Sequence, residues 1–123
     1  MKHSPRFLAL VNEAKSRIQE MQPSELLDRL SAGERLVLVD VREESEWAAG
    51  HAAGAHYLGR GILERDVEQR WPDLDTPLVL YCGGGYRSAL SAVSLQMMGY
   101  TQVWSLADGW RGWQAAGGAV EAA

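Results

Sequence analysis

The stretch Leu80-Tyr81-Cys82-Gly83-Gly84-Gly85-Tyr86-Arg87-Ser88 decides how the rest of the chain is read. Before it, Pro77-Leu78-Val79-Leu80-Tyr81 is apolar without alternation, the pattern of a strand buried on both faces. That strand delivers Cys82 at its carboxyl end. Three glycines follow, which free the backbone to adopt positive φ and to curl around a point. Successive amide N–H groups then face inward as an anion-binding nest. A helix predicted from about Arg87 to Met98, ended by Gly99, adds the partial positive charge of its N-terminus. Arg87 adds a full positive charge. All three effects favour a thiolate, so Cys82 is expected to titrate below the free-thiol value of about 8.5. The alternative is a buried packing cysteine. Packing alone does not call for three consecutive glycines, which cost up to ~1 kcal/mol each relative to alanine in regular structure.

Working outward, Leu36-Val37-Leu38-Val39-Asp40-Val41 is a second buried strand, His56-Tyr57-Leu58 a brief third, and Gln102 to Leu106 a last one. Ile18 to Met21 ends a helix or forms a short strand. Helices are predicted after Pro23, from Glu43 to Ala49, from Gly61 to Trp71 with Ile62, Leu63 and Val67 inward, and from about Gly109 to Ala116. Phe7, Val11, Ala14 and Ile18 mark one face of an N-terminal helix, opened by the Ser4 hydroxyl with Pro5 at its first position. The tail Ala115 to Ala123 is small and weakly patterned and is expected to fray. Strands alternating with helices predict an α/β fold with a mainly parallel central sheet and helices on both faces. Ligand sites of such sheets lie outside the carboxyl ends of the strands, where Cys82 and Asp40-Val41-Arg42 both fall.

The 123 residues suit one domain, with 46% hydrophobic and 23% charged residues. Sixteen acidic against twelve basic residues give a net charge of −4, which argues against nucleic acid as a partner. A single cysteine excludes an internal disulfide and a multi-cysteine metal site, and His3, His51 and His56 offer no paired spacing near it, so no metal is expected. The N-terminal segment is broken by Asn12, Glu13 and Lys15 too early for a signal peptide, and no apolar run approaches a membrane span. A cytoplasmic protein with a reduced thiol and no membrane partner is the expectation. No Gly-Lys-Ser/Thr follows the glycines, so they are not a P-loop, and their spacing is not that of a dinucleotide fingerprint.

Further segments carry a resemblance. Asp40-Val41-Arg42-Glu43 with Glu46-Trp47, Gly50-His51 and Gly54-Ala55 resemble the upstream signature of the rhodanese family, in particular its single-domain bacterial sulfurtransferases. Cys82 to Arg87 resembles the family's active-site loop. Gly99-Tyr100, Val103, Leu106, Gly109-Trp110 and Trp113 resemble its closing signature. The resemblance implies a rhodanese-like domain over residues 18–123, preceded by an N-terminal helical extension over 1–17. Asp108, where glycine is common, and Gly59, where proline often precedes Arg60, depart from the pattern without touching the nucleophile.

The resemblance implies sulfur transfer in two steps. Cys82 takes a sulfane sulfur from a small donor such as thiosulfate, and a thiol, possible examples being thioredoxin or glutathione, or cyanide then removes it. No cofactor is implied. Gly83, Gly84, Gly85, Tyr86, Arg87 and Ser88 would cradle the persulfide, Tyr86 as pocket wall and Ser88 by capping the helix or hydrogen-bonding the loop. Asp40 and Arg42 read as structural supports bonded to loop backbone, His51 as a structural histidine, and Trp47, Trp104, Trp110 and Trp113 as packing residues. Arg60 has two readings, attraction of an anionic donor or a surface ion pair with Glu64. Related phosphatases and arsenate reductases carry five residues between cysteine and arginine. Here there are four, Gly83 to Tyr86, a ring better sized for one sulfur. A non-catalytic sulfur-carrier or interaction module is the other alternative. The oligomeric state, and whether the N-terminal helix packs on its own domain or on a second subunit, are not legible.

Overall fold

The computed structural model describes residues 3–122. Five strands form one parallel sheet in the order β1-β6-β5-β2-β4: β1 (Gln19–Met21), β2 (Val37–Asp40), β4 (His56–Tyr57), β5 (Leu78–Tyr81) and β6 (Val103–Leu106). The Ile18 to Met21 segment thus resolves as a strand, with Glu20 opposite Ser105. Central β5 lies between β2 and β6, with Leu80 opposite Val39 on one side and Ser105 on the other.

Side-chain alternation along these strands divides the core in two. Leu78, Leu80 and Cys82 join Val39 and Val41 on the face covered by α4 (Leu63–Arg70) and α5 (Tyr86–Met97). Val79, Tyr81 and Leu38 face the other way, towards α2 (Pro23–Ser31) and α6 (Gly109–Ala115), meeting Leu26 and the buried Trp113. The thiol therefore enters the α4/α5 side by strand parity. The architecture is the expected one, with helices on both faces of a parallel sheet.

The N-terminal helix α1 (Pro5–Lys15) starts on Ser4, whose Oγ accepts the Phe7 N–H. It packs on its own domain: buried Val11 and Ala14 meet Ala89 of α5, flanked by Phe7, Ile18 and Tyr86. Burying those side chains fully is worth roughly 1.5–3 kcal/mol per large apolar residue, which outweighs what a short isolated helix could supply by itself.

Three expectations need correction. The helix expected from Gly61 begins as a 3₁₀ turn at Arg60–Ile62, and Ile62 is 39% exposed rather than inward. The tail does not fray throughout. Val120–Glu121 (β7) pairs antiparallel with His51–Ala52 (β3), which follows α3 (Glu44–Ala49). The indole N–H of Trp113 and the Ala53 N–H both donate to the Ala119 carbonyl at 2.9 Å, so a few directed hydrogen bonds hold a segment with little apolar content. Ala123 lies outside the described residues. Finally, only Gly85 of the three loop glycines uses positive φ, at 94°.

Candidate active site

Cys82 follows β5 and is 1% exposed. Its loop closes over Sγ from the C-terminal side. The Gly85 N–H donates to Sγ at 3.2 Å and the Ser88 N–H at 3.4 Å. The Ser88 hydroxyl lies 3.5 Å from Sγ and 2.8 Å from the Ser105 hydroxyl. Burial by itself would raise the Cys82 pKa. Hydrogen bonds from the Ser88 hydroxyl and from the Ser88, Gly84 and Gly85 amides outweigh it, and the thiol is lowered below its ordinary value. Gly85 in the left-handed region turns the chain into α5, so the first amides of that helix point at the sulfur.

Gly83 and Gly84 serve by leaving space. A Cβ at 83 would stand 3.2 Å from Arg87 Nη2, and one at 84 would collide with the Arg111 guanidinium. The loop is also gripped from α6. The Cys82 carbonyl accepts the Trp110 N–H at 2.7 Å and the Gly83 carbonyl accepts the Arg111 N–H at 3.3 Å. A Cβ on Gly109 would run into the Cys82 carbonyl, so the Gly109-Trp110 step is shaped by the cysteine loop.

Arg87 does not stand as a free cation. Its Nη1 and Nη2 bond Glu46 at 2.8 and 3.2 Å, joining the loop to α3. The Glu46 hydrogen bond raises the Arg87 pKa against its partial burial, and Arg87 lowers that of Glu46. Glu46 also closes a capping box, accepting the Glu43 N–H at 3.0 Å.

Asp40 and Arg42 lie behind this layer. Arg42 Nη2 reaches Asp40 Oδ2 at 2.8 Å and the Gly50 carbonyl at 2.7 Å, and Asp40 Oδ1 accepts the Arg42 backbone N–H at 2.9 Å. Both side chains are buried, and the guanidinium lies 4.8 Å from the Trp110 ring centre. The ion pair holds β2, α3 and α6 together rather than facing the thiol. His51 stacks on Trp47 at 3.4 Å, with Nδ1 3.0 Å from the Trp47 carbonyl, so it too is placed structurally.

A cavity of about 310 Å³ opens over the loop, lined by Cys82, Gly83, Gly84, Tyr86, Arg87, Arg111, Phe7 and His3. Tyr86 forms one wall, 4.5 Å from the His3 ring and 6.1 Å from Phe7. Arg60 is not brought here. It is exposed on the 3₁₀ turn and lines a separate groove with Glu43, Glu44 and Tyr57, and among the described residues it makes no ion pair, with Glu64 or any other carboxylate. Sequence reasoning missed Arg111, Phe7, His3 and Ser105 at this site, and read Glu46 only as part of the upstream signature, not as the partner of Arg87. The helical periodicity of Phe7 marked packing only, and nothing local distinguishes Arg111 from any surface arginine.

Comparison with known proteins follows the same outline. A family profile for the rhodanese-like domain matches residues 22–116, which leaves α1 outside it. The thiosulfate sulfurtransferase GlpE of Ectopseudomonas mendocina is 31% identical over 100 residues, covering 81% of this chain and 88% of that one. The probable adenylyltransferase/sulfurtransferase MoeZ of Mycobacterium tuberculosis is 32% identical over 91 residues, and the match spans only 23% of its length. Among solved structures, a thiosulfate sulfurtransferase from Pseudomonas aeruginosa superposes with a TM-score of 0.81 at 28% identity, over 92% of this chain and 22% of that one. A Rhodopseudomonas palustris protein of unknown function, described as a possible tyrosine phosphatase, superposes over 98% of both chains with a TM-score of 0.79 at 29% identity. Among the described residues no helix is long and apolar enough to cross a membrane. With the strand-end cysteine, the glycine loop and the α6 brace all in place, the chain belongs to the rhodanese-like family.

Proposed function

We propose that this protein is a thiosulfate-type sulfurtransferase that carries a sulfane sulfur as a persulfide on Cys82. The observation that carries this reading is the four-residue loop, which turns amide donors onto a buried, acidified Sγ at a cavity floor. The Cys82 thiolate attacks the outer sulfur of the donor. A bond forms between Sγ and that sulfur, the donor's S–S bond breaks, and sulfite leaves with the electron pair. The persulfide anion then takes the place of the thiolate under the same amides. A thiol acceptor such as thioredoxin or glutathione, or cyanide, attacks the terminal sulfur and regenerates the Cys82 thiolate. The reaction belongs in a reducing compartment such as the cytoplasm, where the thiol persists.

A thiosulfate–cyanide assay tests the reading. Native protein turns over, Cys82→Ser does not, and mass spectrometry finds one added sulfur on native Cys82 after thiosulfate alone. Native activity no greater than that of the serine variant would end the proposal. The phosphatase reading draws on the description of the Rhodopseudomonas palustris neighbour. It would be preferred if the native protein hydrolysed an aryl phosphate in a Cys82-dependent way.

A further inference from the structure

We propose that Arg111, at the start of α6, binds the oxyanion group of the sulfur donor and of the sulfite it releases. The assignment rests on the sulfurtransferase reading and names the residue that would select the donor. The chemistry creates the need for such a residue. A thiolate and a thiosulfate dianion must meet, on a protein whose net charge is −4. The backbone nest serves the sulfur that is transferred, not the sulfonate behind it.

Two guanidinium groups line the cavity. Arg87 is engaged by both carboxylate oxygens of Glu46. Arg111 is exposed and has no carboxylate partner among the described residues. Its guanidinium lies against Gly84, where the missing side chain lets it reach the loop surface. Its own backbone N–H is fixed to the Gly83 carbonyl at 3.3 Å, so the cation is anchored to the loop it overlooks. Phe7 and Tyr86 make much of the remaining lining aromatic. An anionic head therefore finds its unpaired charge on the α6 side, and the planar guanidinium presents paired donors that match two oxygens of a sulfonate.

Protection of Cys82 from iodoacetamide by sulfite reads this without turnover, with intact-protein mass spectrometry as detector. In Arg111→Ala the half-protecting sulfite concentration rises about tenfold, the scale of one charge-assisted contact, while Arg111→Lys recovers most of the loss. Steady-state kinetics give a second readout. In a ping-pong scheme kcat/KM for thiosulfate reports the donor half alone, so it falls about tenfold, while kcat/KM for an uncharged dithiol acceptor stays within about twofold. Equal loss in both halves would mean that Arg111 only shapes the loop, and unchanged sulfite protection would make it a surface cation. Either result overturns the assignment, as does an equal loss in Arg60→Ala, which would point to the general field of the surface. A protein that transfers no sulfur yet shows Arg111-dependent sulfite protection would sink the sulfurtransferase reading and leave the oxyanion site standing.

Discussion

Replacing Ser88 by alanine should make Cys82 a weaker acid and a slower nucleophile. The Gly85 and Ser88 N–H groups lie 3.2 and 3.4 Å from Sγ, and the Ser88 hydroxyl 3.5 Å. The variant keeps both amides and removes only the hydroxyl. A hydrogen bond to a charged group is worth about 1.5–3 kcal/mol, and the length of this one puts it at the low end. At about 1.4 kcal/mol per decade, the thiolate population below the titration midpoint falls roughly tenfold. Iodoacetamide alkylation against pH measures this directly: the midpoint moves upward, and the plateau at high pH, where every molecule is thiolate, changes little. The Ser105 hydroxyl lies 2.8 Å from that of Ser88; if it donates there and leaves the Ser88 proton for sulfur, Ser105→Ala shifts the midpoint in the same direction by less. Folding lowers the Cys82 pKa, so the linked stability is fully present above the unfolded thiol's value of about 8.5 and is lost as pH falls through the native midpoint. An alkylation profile for Ser88→Ala that overlays the native one would refute the reasoning, because the amides alone would then acidify the thiol.

Asp40→Ala leaves the Arg42 guanidinium buried without its carboxylate and should cost about 3–5 kcal/mol in urea unfolding. Gly109→Ala pushes a methyl group into the Cys82 carbonyl. We expect at least ~2 kcal/mol lost, as for overpacking elsewhere, and a Cys82 less reactive than in native protein at equal pH, measured by alkylation of the folded fraction. Asp108 holds φ of 57° with no side-chain cap on α6, so Asp108→Gly relieves left-handed strain of roughly 1–2 kcal/mol against the roughly 0.5–1 kcal/mol that a glycine's extra freedom costs, and should leave a small net gain that raises Tm by a few degrees in calorimetry.

The cysteine loop was legible because its cause is local. Glycines, a preceding apolar strand and a following helix lie within nine residues, and each has its own physical signal. The parallel sheet followed from strand–helix alternation for the same reason. What escaped was tertiary. Glu46 neutralises Arg87 across 41 residues, and Phe7 and Arg111 approach Cys82 from opposite ends of the chain. Arg60, between two glycines after a short strand, had two readings, a donor cation or a surface ion pair with Glu64, and the 3₁₀ turn places it in a groove apart from the cysteine loop. The β3–β7 pair was invisible because two-residue strands are too short to carry a hydrophobic period.

The parity of β5 is what brings the thiol under the amides of the loop. Leu78, Leu80 and Cys82 share one face and Val79 and Tyr81 the other. A one-residue slip would turn the thiol toward the side of Arg42 and Trp110, and would take the Tyr81 hydroxyl from the Ala52 N–H, whose bond it accepts at 3.1 Å. Register is therefore bound to chemistry, and it is set on both flanks, by Val39 and Asp40 of β2 and by Val103 to Ser105 of β6. The bond from the Trp110 N–H to the Cys82 carbonyl extends this control beyond the strand's last residue. Gly109 and Trp110 thus hold the backbone that carries the thiol through the Cys82 carbonyl, which is why the closing signature and the cysteine loop, far apart in sequence, form one structural unit.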